Sequence, residues 1–260
     1  MIECWNLLVL FKSISMKFSC LMFILFSLTL NTNAQQTFKA EQLKFERVKN
    51  AYQEKWTALR ADLKSKGYKG NIDLVLNAYK AEGKLELWLK DKSSKTYTLF
   101  RTYDFCAHSG TLGPKVKEND RQTPEGFYYL RAFNPMSSFH LSLGINYPNS
   151  VDLFRTGKHN KPGSDIYIHG NCVTVGCIPL SDDKIKEVYI LAVEARNGGQ
   201  NKIPVNIYPF RMSAQNMKHY TALYPQHKGL WINLQQAYKS FEEYKIPATI
   251  TELKGAYYIK

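Results

Sequence analysis

Long apolar runs are scarce in this sequence. Residues 21–30 form one such run, and no later segment is long and apolar enough to span a bilayer. Runs of five or more basic residues are also absent, which argues against a dedicated nucleic-acid-binding tail. There is no internal repeat and no low-complexity tract. These absences exclude a polytopic membrane protein and a repeat array, and the length then predicts one globular domain with appendages.

The apolar run belongs to an N-terminal segment that has the properties of a signal peptide. Lys17 supplies a positive flank, and Ala34 is a small residue that suits cleavage before Gln35. We therefore predict a signal peptide over residues 1–34, with Met16 as an alternative start, and an exported mature chain. An uncleaved membrane anchor is the alternative interpretation.

Acidic residues are in the minority. The chain has 22 Asp and Glu against 35 Lys and Arg, which gives a formal charge of +13. Such an imbalance favours a polyanionic partner through long-range attraction. For an exported chain we expect that partner to be cell-wall polymer or anionic lipid, and not nucleic acid.

Cysteine is rare, with five in 260 residues. Cys4 and Cys20 would leave with the signal peptide, so that Cys106, Cys172 and Cys177 remain. An odd number in an exported protein implies at least one unpaired thiol. Because a free thiol is vulnerable to oxidation outside the cytoplasm, its presence suggests a use.

Apolar periodicity predicts a helix followed by a β-rich region. Large apolar residues recur every three or four positions from Phe45 to Leu63, and Gly67 can end that helix. Two apolar segments around Glu82-Gly83 indicate a β-hairpin. Further strands are predicted at residues 97–105, 126–133, 139–144, 165–169 and 203–208, with a last strand at 256–259. A helix is predicted to begin after Ser181, and residues 213–245 are also predicted to be helical.

Two segments between the strands predict functional loops. Residues 113–126 are rich in turn formers and charge, and residues 147–164 form a long basic connection. In the strand at 139–144, Phe139 and the leucines alternate with His140 and Ser142. This alternation predicts that Phe139 faces the core and that His140 faces a cleft or water.

The most informative segment, residues 165–180, places His169 eight residues before Cys177. A free thiol with a pKa of about 8.5 is mostly protonated at neutral pH, and an adjacent imidazole can take its proton and later protonate a leaving amine. Gly176 lets the backbone bend, so that nearby amides can converge on an oxyanion. A buried cysteine and a core histidine without catalytic roles are the alternative.

Two other uses of these cysteines remain open at this stage. His169, Cys172 and Cys177 have the short spacing of metal ligands, and Cys106 could complete a zinc site. However, the sequence contains no second Cys-x-x-Cys pair and no His-Glu-x-x-His motif. A disulfide could instead join Cys172 to Cys177, or Cys106 to Cys172, and sequence does not choose between them.

The segment Ile168-His169-Gly170 with Thr174-Val175-Gly176-Cys177 resembles the active-site signature of the L,D-transpeptidase catalytic domain (YkuD type). It is most similar to the periplasmic YafK-like branch, in which histidine precedes cysteine by eight residues. The similarity extends over roughly residues 45–260 and includes the segments 106–115, 122–128, 138–149 and 204–212. Val175 departs from the wider family, which carries a histidine before the glycine, so one polar helper is missing.

The resemblance implies an α+β fold, with a mostly β catalytic domain and flanking N- and C-terminal helices. We predict an N-terminal helix over 35–67, the catalytic domain over 68–212, and a C-terminal helical extension with a final strand over 213–260. The implied location is the periplasm.

The resemblance also implies cysteine acyl transfer on peptidoglycan stem peptides. Cys177 is then the nucleophile, His169 the general base and later acid, and Gly170 the residue whose carbonyl orients the imidazole. The amides of Gly176 and Cys177 are candidate oxyanion donors. We expect no cofactor and no metal, because a thiol and an imidazole suffice for acyl transfer.

Candidate substrate contacts come from charge and position. Tyr147, Arg155 and Lys115 could meet the carboxylates of a stem peptide, and His140 could line the cleft. The first hypothesis for function is an exported cell-wall transpeptidase. A hydrolase of the same fold that trims stem peptides or releases a wall-linked lipoprotein is the alternative, and a non-catalytic peptidoglycan-binding module is the third.

Overall fold

The computed structural model describes residues 37–260. The predicted signal peptide, with Cys4 and Cys20, lies outside these residues. Within the described residues there are six helices and a short 3-10 turn at Pro225–His227. The helices are α1 Thr37–Gln42, α2 Glu46–Ser65, α3 Ser150–Thr156, α4 Asp182–Asn197, α5 Ala214–Leu223 and α6 Lys228–Tyr244. No helix among residues 37–260 is both long enough and apolar enough to cross a membrane.

Eight of the ten strands form one mixed sheet in the order β3-β2-β1-β8-β4-β5-β6-β7. Strands β1/β8 and β6/β7 are parallel pairs, and the other neighbours are antiparallel. The predicted α+β fold class is confirmed. The strands are β1 Ile72–Tyr79, β2 Lys84–Asp91, β3 Thr98–Asp104, β4 Gly126–Ser137, β5 His140–Ile145, β6 Tyr167–His169, β7 Ile178–Pro179, β8 Pro204–Tyr208, β9 Ile250–Leu253 and β10 Ala256–Ile259.

Helices cover both faces of the sheet at β1. Leu74 and Leu76 belong to the main core, where α2 and α4 pack, whereas Tyr79 points to a second core built with α6. Successive side chains of a strand point to opposite faces, so a strand with both faces covered is apolar along most of its length. This explains why β1 is almost continuously buried.

The helical pattern predicted from Phe45 to Leu63 is confirmed by α2, and the hairpin at Glu82-Gly83 by β1 and β2. The N-cap predicted at Ser181 is also present, since the Lys184 amide donates to the Ser181 hydroxyl at 3.4 Å.

Two local expectations are wrong. The alternation predicted for the strand at 139–144 fails, because Phe139 is 39% exposed and Ser142 is buried. His140, the first residue of β5, has a positive φ of 65°, which turns the chain there and resets which side chains point inward. The segment 147–164 is not loop throughout, since it contains α3.

The strand predicted at 256–259 exists as β10, but its partner β9 was not predicted.

Candidate active site

The parallel pair β6/β7 positions the two predicted catalytic residues, because His169 ends β6 and Cys177 directly precedes β7. Ile168 pairs with Ile178 and His169 pairs with Pro179. Because side chains alternate along strands, the two buried isoleucines point to one face and His169 points to the other. Cys177 directly precedes β7, and its Sγ lies beside the Tyr167 amide of β6. The register thus brings together two backbone segments that carry residues eight positions apart in the sequence.

Cys177 is the one free cysteine among residues 37–260, and it is partly exposed. Its Sγ accepts a hydrogen bond from the Tyr167 amide at 3.4 Å and lies 3.6 Å from the Asp165 carbonyl, to which the thiol can donate. Burial raises the pKa of the thiol, while the Tyr167 amide and Lys115 lower it. A thiol in this environment stays protonated near neutral pH and needs a base to become a nucleophile.

The imidazole of His169 has the properties of such a base. The side chain is 1% exposed, and Nδ1 lies 2.5 Å from the Gly170 carbonyl. A proton on Nδ1 donates to that carbonyl and leaves the lone pair of Nε2 available. Burial lowers the pKa of His169, and the hydrogen bond to Gly170 offsets part of that effect. The imidazole is therefore neutral at neutral pH and can accept a proton.

The turn between the two strands is held by close backbone contacts. Thr174 Oγ1 donates to the Cys177 carbonyl at 2.9 Å and accepts from the Gly176 amide at 3.2 Å. At the other end of the turn, the Asn171 amide donates to the Asp182 carboxylate at 2.8 Å. A β-carbon at Gly170 would lie 2.6 Å from that same carboxylate. The loop before Cys177 is thus fixed from both sides.

A disulfide joins Cys106 to Cys172, with Cα atoms 5.2 Å apart. It connects the loop after β3 to the turn that carries Cys177, and the Cys106 amide also donates to the Pro179 carbonyl at 3.1 Å. Of the two pairings left open by the sequence, the structure has the one that leaves Cys177 free. Among residues 37–260 no group of three or more His, Cys, Asp or Glu lies close enough to hold a metal ion.

Two cavities meet at Cys177. The smaller, of about 220 Å³, is formed chiefly by the loop 105–112, with Lys80 and Thr123 at its wall. The larger, of about 520 Å³, contains charged side chains of both signs, among them Lys115, Arg121 and Asp165. The thiol can therefore be approached from two sides.

The structure separates the four candidate substrate contacts. Lys115 lines the larger cavity, although its ammonium group is paired with Asp120 at 2.6 Å. Tyr147 is 2% exposed, and its hydroxyl donates to the Pro162 carbonyl at 3.0 Å.

The other two candidates line neither cavity at the thiol. Arg155 lies on α3, 3.7 Å from Asp152. His140 lines a separate cavity with Asn171 and Asp182. The four assignments to substrate thus stay predictions, and among them the structure places Lys115 alone beside Cys177.

Two side chains at this site received no role in the sequence analysis. Phe139 lies against the imidazole of His169, with ring centroids 4.8 Å apart. Thr174 organises the turn before Cys177. The sequence contains a weak signal for Thr174, because a hydroxyl three residues before a carbonyl in a Gly-containing turn commonly bonds to backbone. It contains none for Phe139, whose alternation pattern predicted a core position.

Comparison of the sequence with known proteins identifies the family. The family model of the L,D-transpeptidase catalytic domain, YkuD, matches residues 75–207. The chain is 33% identical over 200 residues to "Putative L,D-transpeptidase YafK" of Escherichia coli strain K12, an alignment that covers 75% of this chain and 78% of that protein.

Solved structures give more distant matches. The helical cell shape determining protein Pgp2 of Campylobacter jejuni matches with 20% identity and a TM-score of 0.42, over 58% of this chain and 55% of that chain. Bd1075 of Bdellovibrio bacteriovorus matches with 24% identity and a TM-score of 0.37, over 53% and 47% of the two chains. The chain thus spans about half the length of these structures.

Proposed function

The chain belongs to the L,D-transpeptidase catalytic domain family, and from that premise we propose that it is an exported, cysteine-dependent acyl transferase of peptidoglycan stem peptides. The observation that supports the proposal is a free thiol that lines two cavities directly before β7, while the neighbouring strand β6 carries a buried imidazole whose pKa is lowered. Its site of action would be the periplasm, as the predicted signal peptide requires.

The reaction divides into two acyl transfers. The thiol of Cys177 turns from the Asp165 carbonyl toward His169 and gives its proton to Nε2. The thiolate attacks the amide carbonyl that follows the L-centre of a diamino acid, and a tetrahedral oxyanion forms. His169 then returns the proton to the departing amine, and the C–N bond breaks to leave a thioester on Cys177.

The acceptor decides the product. A second amine that attacks the thioester gives a cross-link and regenerates the thiol, whereas water gives hydrolysis. Two cavities that meet at the thiol favour transfer, because donor and acceptor can then approach from different sides. Release of a wall-linked lipoprotein is the hydrolytic alternative.

Oxyanion stabilisation falls mainly to the Cys177 amide in this proposal. The Gly176 amide already donates to Thr174 Oγ1. A donor that is already engaged must break that bond to serve the oxyanion, which reduces its net contribution. We therefore assign the Cys177 amide as the principal donor and Gly176 as the residue that shapes the turn.

Product analysis tests the proposal directly. Purified mature protein is incubated with defined muropeptides and, separately, with lipoprotein-linked sacculi, and the products are read by mass spectrometry. Cys177→Ala and His169→Gln are expected to lose at least about a thousandfold in rate, as for other members of a nucleophile–base pair. His219→Gln, at an exposed position on α5, is the matched control and keeps activity.

The product pattern distinguishes the alternatives. New cross-linked species indicate transfer, and released peptide or lipoprotein without them indicates hydrolysis. Identical products from the wild type and Cys177→Ala would refute the enzyme hypothesis and leave a wall-binding module.

A further inference from the structure

An aromatic side chain lies against the imidazole of the proposed base. The ring centroids of Phe139 and His169 are 4.8 Å apart, and the two planes meet at 33°. His169 is 1% exposed, whereas Phe139 is 39% exposed. One face of the Phe139 ring therefore covers the imidazole while the rest of the ring meets solvent. The contact with the imidazole, and not the exposure of Phe139 itself, is the informative feature, because single exposed apolar side chains are common.

The turn between β4 and β5 is built so that Phe139 reaches this position. The register of β4 and β5 shifts between Asn134 and Ser137, and His140 has a φ of 65°. The Phe139 amide donates to Ser137 Oγ at 3.0 Å. A left-handed, non-glycine residue beside a register shift is strained and persists where the surroundings hold it.

Those surroundings include the N-terminal helix. Arg47 of α2 donates through one nitrogen to the carbonyls of Ser137 and His140, at 2.5 and 2.8 Å. These two carbonyls flank Phe139 in the chain. A guanidinium that bonds both sides of the turn restricts its backbone and, through it, the direction of the Phe139 side chain.

We propose that Phe139 is a positioning residue for His169, which it holds in plane and shields from water, and that Arg47 acts through Phe139. This inference rests on the proposed function, in which His169 is the base. A base held in one orientation loses less entropy on reaching the reacting geometry. A base kept dry stays neutral over a wider range of pH.

Charges near His169 do not account for its neutrality. The elements around it carry titratable and charged groups, four of which are Cys177 before β7, His140 on β5, Asp182 at the start of α4 and Arg47 on α2. The pKa of His169 is lowered mainly by burial, and none of these four groups is among its causes. Removal of a covering ring is therefore expected to act through hydration of the imidazole.

Histidine NMR titration tests the proposal without substrate. In protein with labelled histidine, the signal of His169 is identified as the one lost in His169→Gln. Phe139→Ala is expected to raise the pKa of His169 by about half a unit or more toward its ordinary value, because water reaches the ring. Phe139→Tyr keeps the covering ring and is expected to restore the wild-type pKa. Met136→Ala, at a 75% exposed position of the same hairpin, is the matched control.

The kinetic signature follows from the same change. In Phe139→Ala the acid limb of the pH profile of kcat moves to higher pH, since the imidazole must be neutral to accept the proton. At the plateau, kcat is expected to fall about tenfold from lost orientation, with KM nearly unchanged. A merely structural role would lower the amount of folded protein and leave the pH profile in place.

A double-mutant cycle tests the part assigned to Arg47. Arg47→Met is expected to raise the pKa of His169 in the wild-type background and to add nothing in the Phe139→Ala background, because both changes remove the same cover. Arg60→Met, at an exposed position of the same helix, is the control.

The outcomes that refute the inference are distinct from those that refute the function. An unchanged pKa of His169 in folded Phe139→Ala overturns the positioning role, and additive effects of Arg47→Met and Phe139→Ala overturn the route through Phe139. Turnover by Cys177→Ala overturns the proposed function but leaves the NMR result standing.

Discussion

At Gly176 the addition of a single β-carbon would produce a steric clash with neighbouring backbone. The residue has a φ of 133°, and a β-carbon there would lie 2.8 Å from the Gln122 carbonyl oxygen. The obstacle is backbone, which cannot rotate away as a side chain can. Glycine is therefore required at position 176 for two reasons: the backbone has a positive φ, and there is no space for a β-carbon beside Gln122.

Gly176→Ala is expected to displace Cys177 and to lower kcat by at least about a hundredfold, since small displacements of a reacting group are costly. It should also destabilise the fold by about 1–3 kcal/mol through backbone strain. Steady-state kinetics and urea denaturation measure the two effects. Gly199→Ala is the matched control, because Gly199 has a φ of 94° but nothing within 4 Å of the added carbon. Equal kinetic loss in both variants would contradict the argument.

The sequence predicts a candidate pair but not the contacts around it. His169 and Cys177 are candidates because a short motif fixes their spacing, with His169 at the end of β6 and Cys177 directly before β7. The cover by Phe139 depends on a register shift and a left-handed residue, and the Cys106–Cys172 pairing depends on two loops that meet in space. Neither kind of information is present in local periodicity.

Among the elements, α3 has the most unusual electrostatics. Asn149 caps the helix and Asp152 completes a capping box, yet the Asp152 side chain is fully buried. Tyr128 donates to its carboxylate at 3.0 Å. Burial raises the pKa of Asp152 from 3.8 to about 6, although the bonds from Asn149 and Tyr128 and the charge of Arg155 oppose the shift. The folded state therefore holds this proton more tightly than the unfolded state.

The resulting pH dependence can be measured with Asp152→Asn. Because the folded pKa of Asp152 is raised, its stabilising contribution is present below pH 4 and is lost as pH rises through about 6. The free energy of unfolding of the wild type should thus fall relative to the variant by about 2–3 kcal/mol between pH 4 and pH 7. Urea denaturation across this range is the measurement. Tyr128→Phe removes a donor to the ionised carboxylate and should extend the decline to higher pH. Parallel curves for the wild type and Asp152→Asn would contradict the shift.

Long elements with a regular apolar pattern were predicted more accurately than short ones. Helix α2 has 20 residues with apolar positions every three or four, and it was predicted close to its bounds. Helix α3 has seven residues, too few to be stable alone, and it exists because Asn149 and Asp152 are bonded to the surrounding sheet and hairpin. Such a helix depends on tertiary contacts, so a local pattern does not reveal it.

At the scale of the molecule, a buried ion pair joins the C-terminal helices to the wall of the active site. Lys80, directly after β1, donates to Glu125 at 2.9 Å and to the carbonyls of Gly113 and Thr123. The other carboxylate oxygen of Glu125 accepts from the Trp231 indole at 2.8 Å. Lys80 and Thr123 line the smaller cavity at Cys177. Trp231 of α6 thus reaches the site through two buried charges.

Trp231→Phe tests this connection. The substitution keeps an aromatic ring in the second core but leaves one oxygen of Glu125, which is 0% exposed, without its donor. A hydrogen bond to a buried charged group contributes about 1.5–3 kcal/mol, so a loss of that size is expected in urea denaturation. Because the same carboxylate holds Lys80 and the Gly113 amide at the cavity wall, kcat should fall severalfold as well.

Trp56→Phe on α2 makes the same chemical change at a half-buried position where no buried carboxylate is bonded to the indole. Both variants lose the same number of ring atoms, and because Trp231 is buried whereas Trp56 is half-buried, the change in kcat is the readout specific to the lost donor. If Trp231→Phe costs no more than Trp56→Phe and leaves kcat intact, the C-terminal helices support the fold without reaching the site. If it costs more and lowers kcat, the region outside the matched family residues is part of the machinery that shapes the cavity at Cys177.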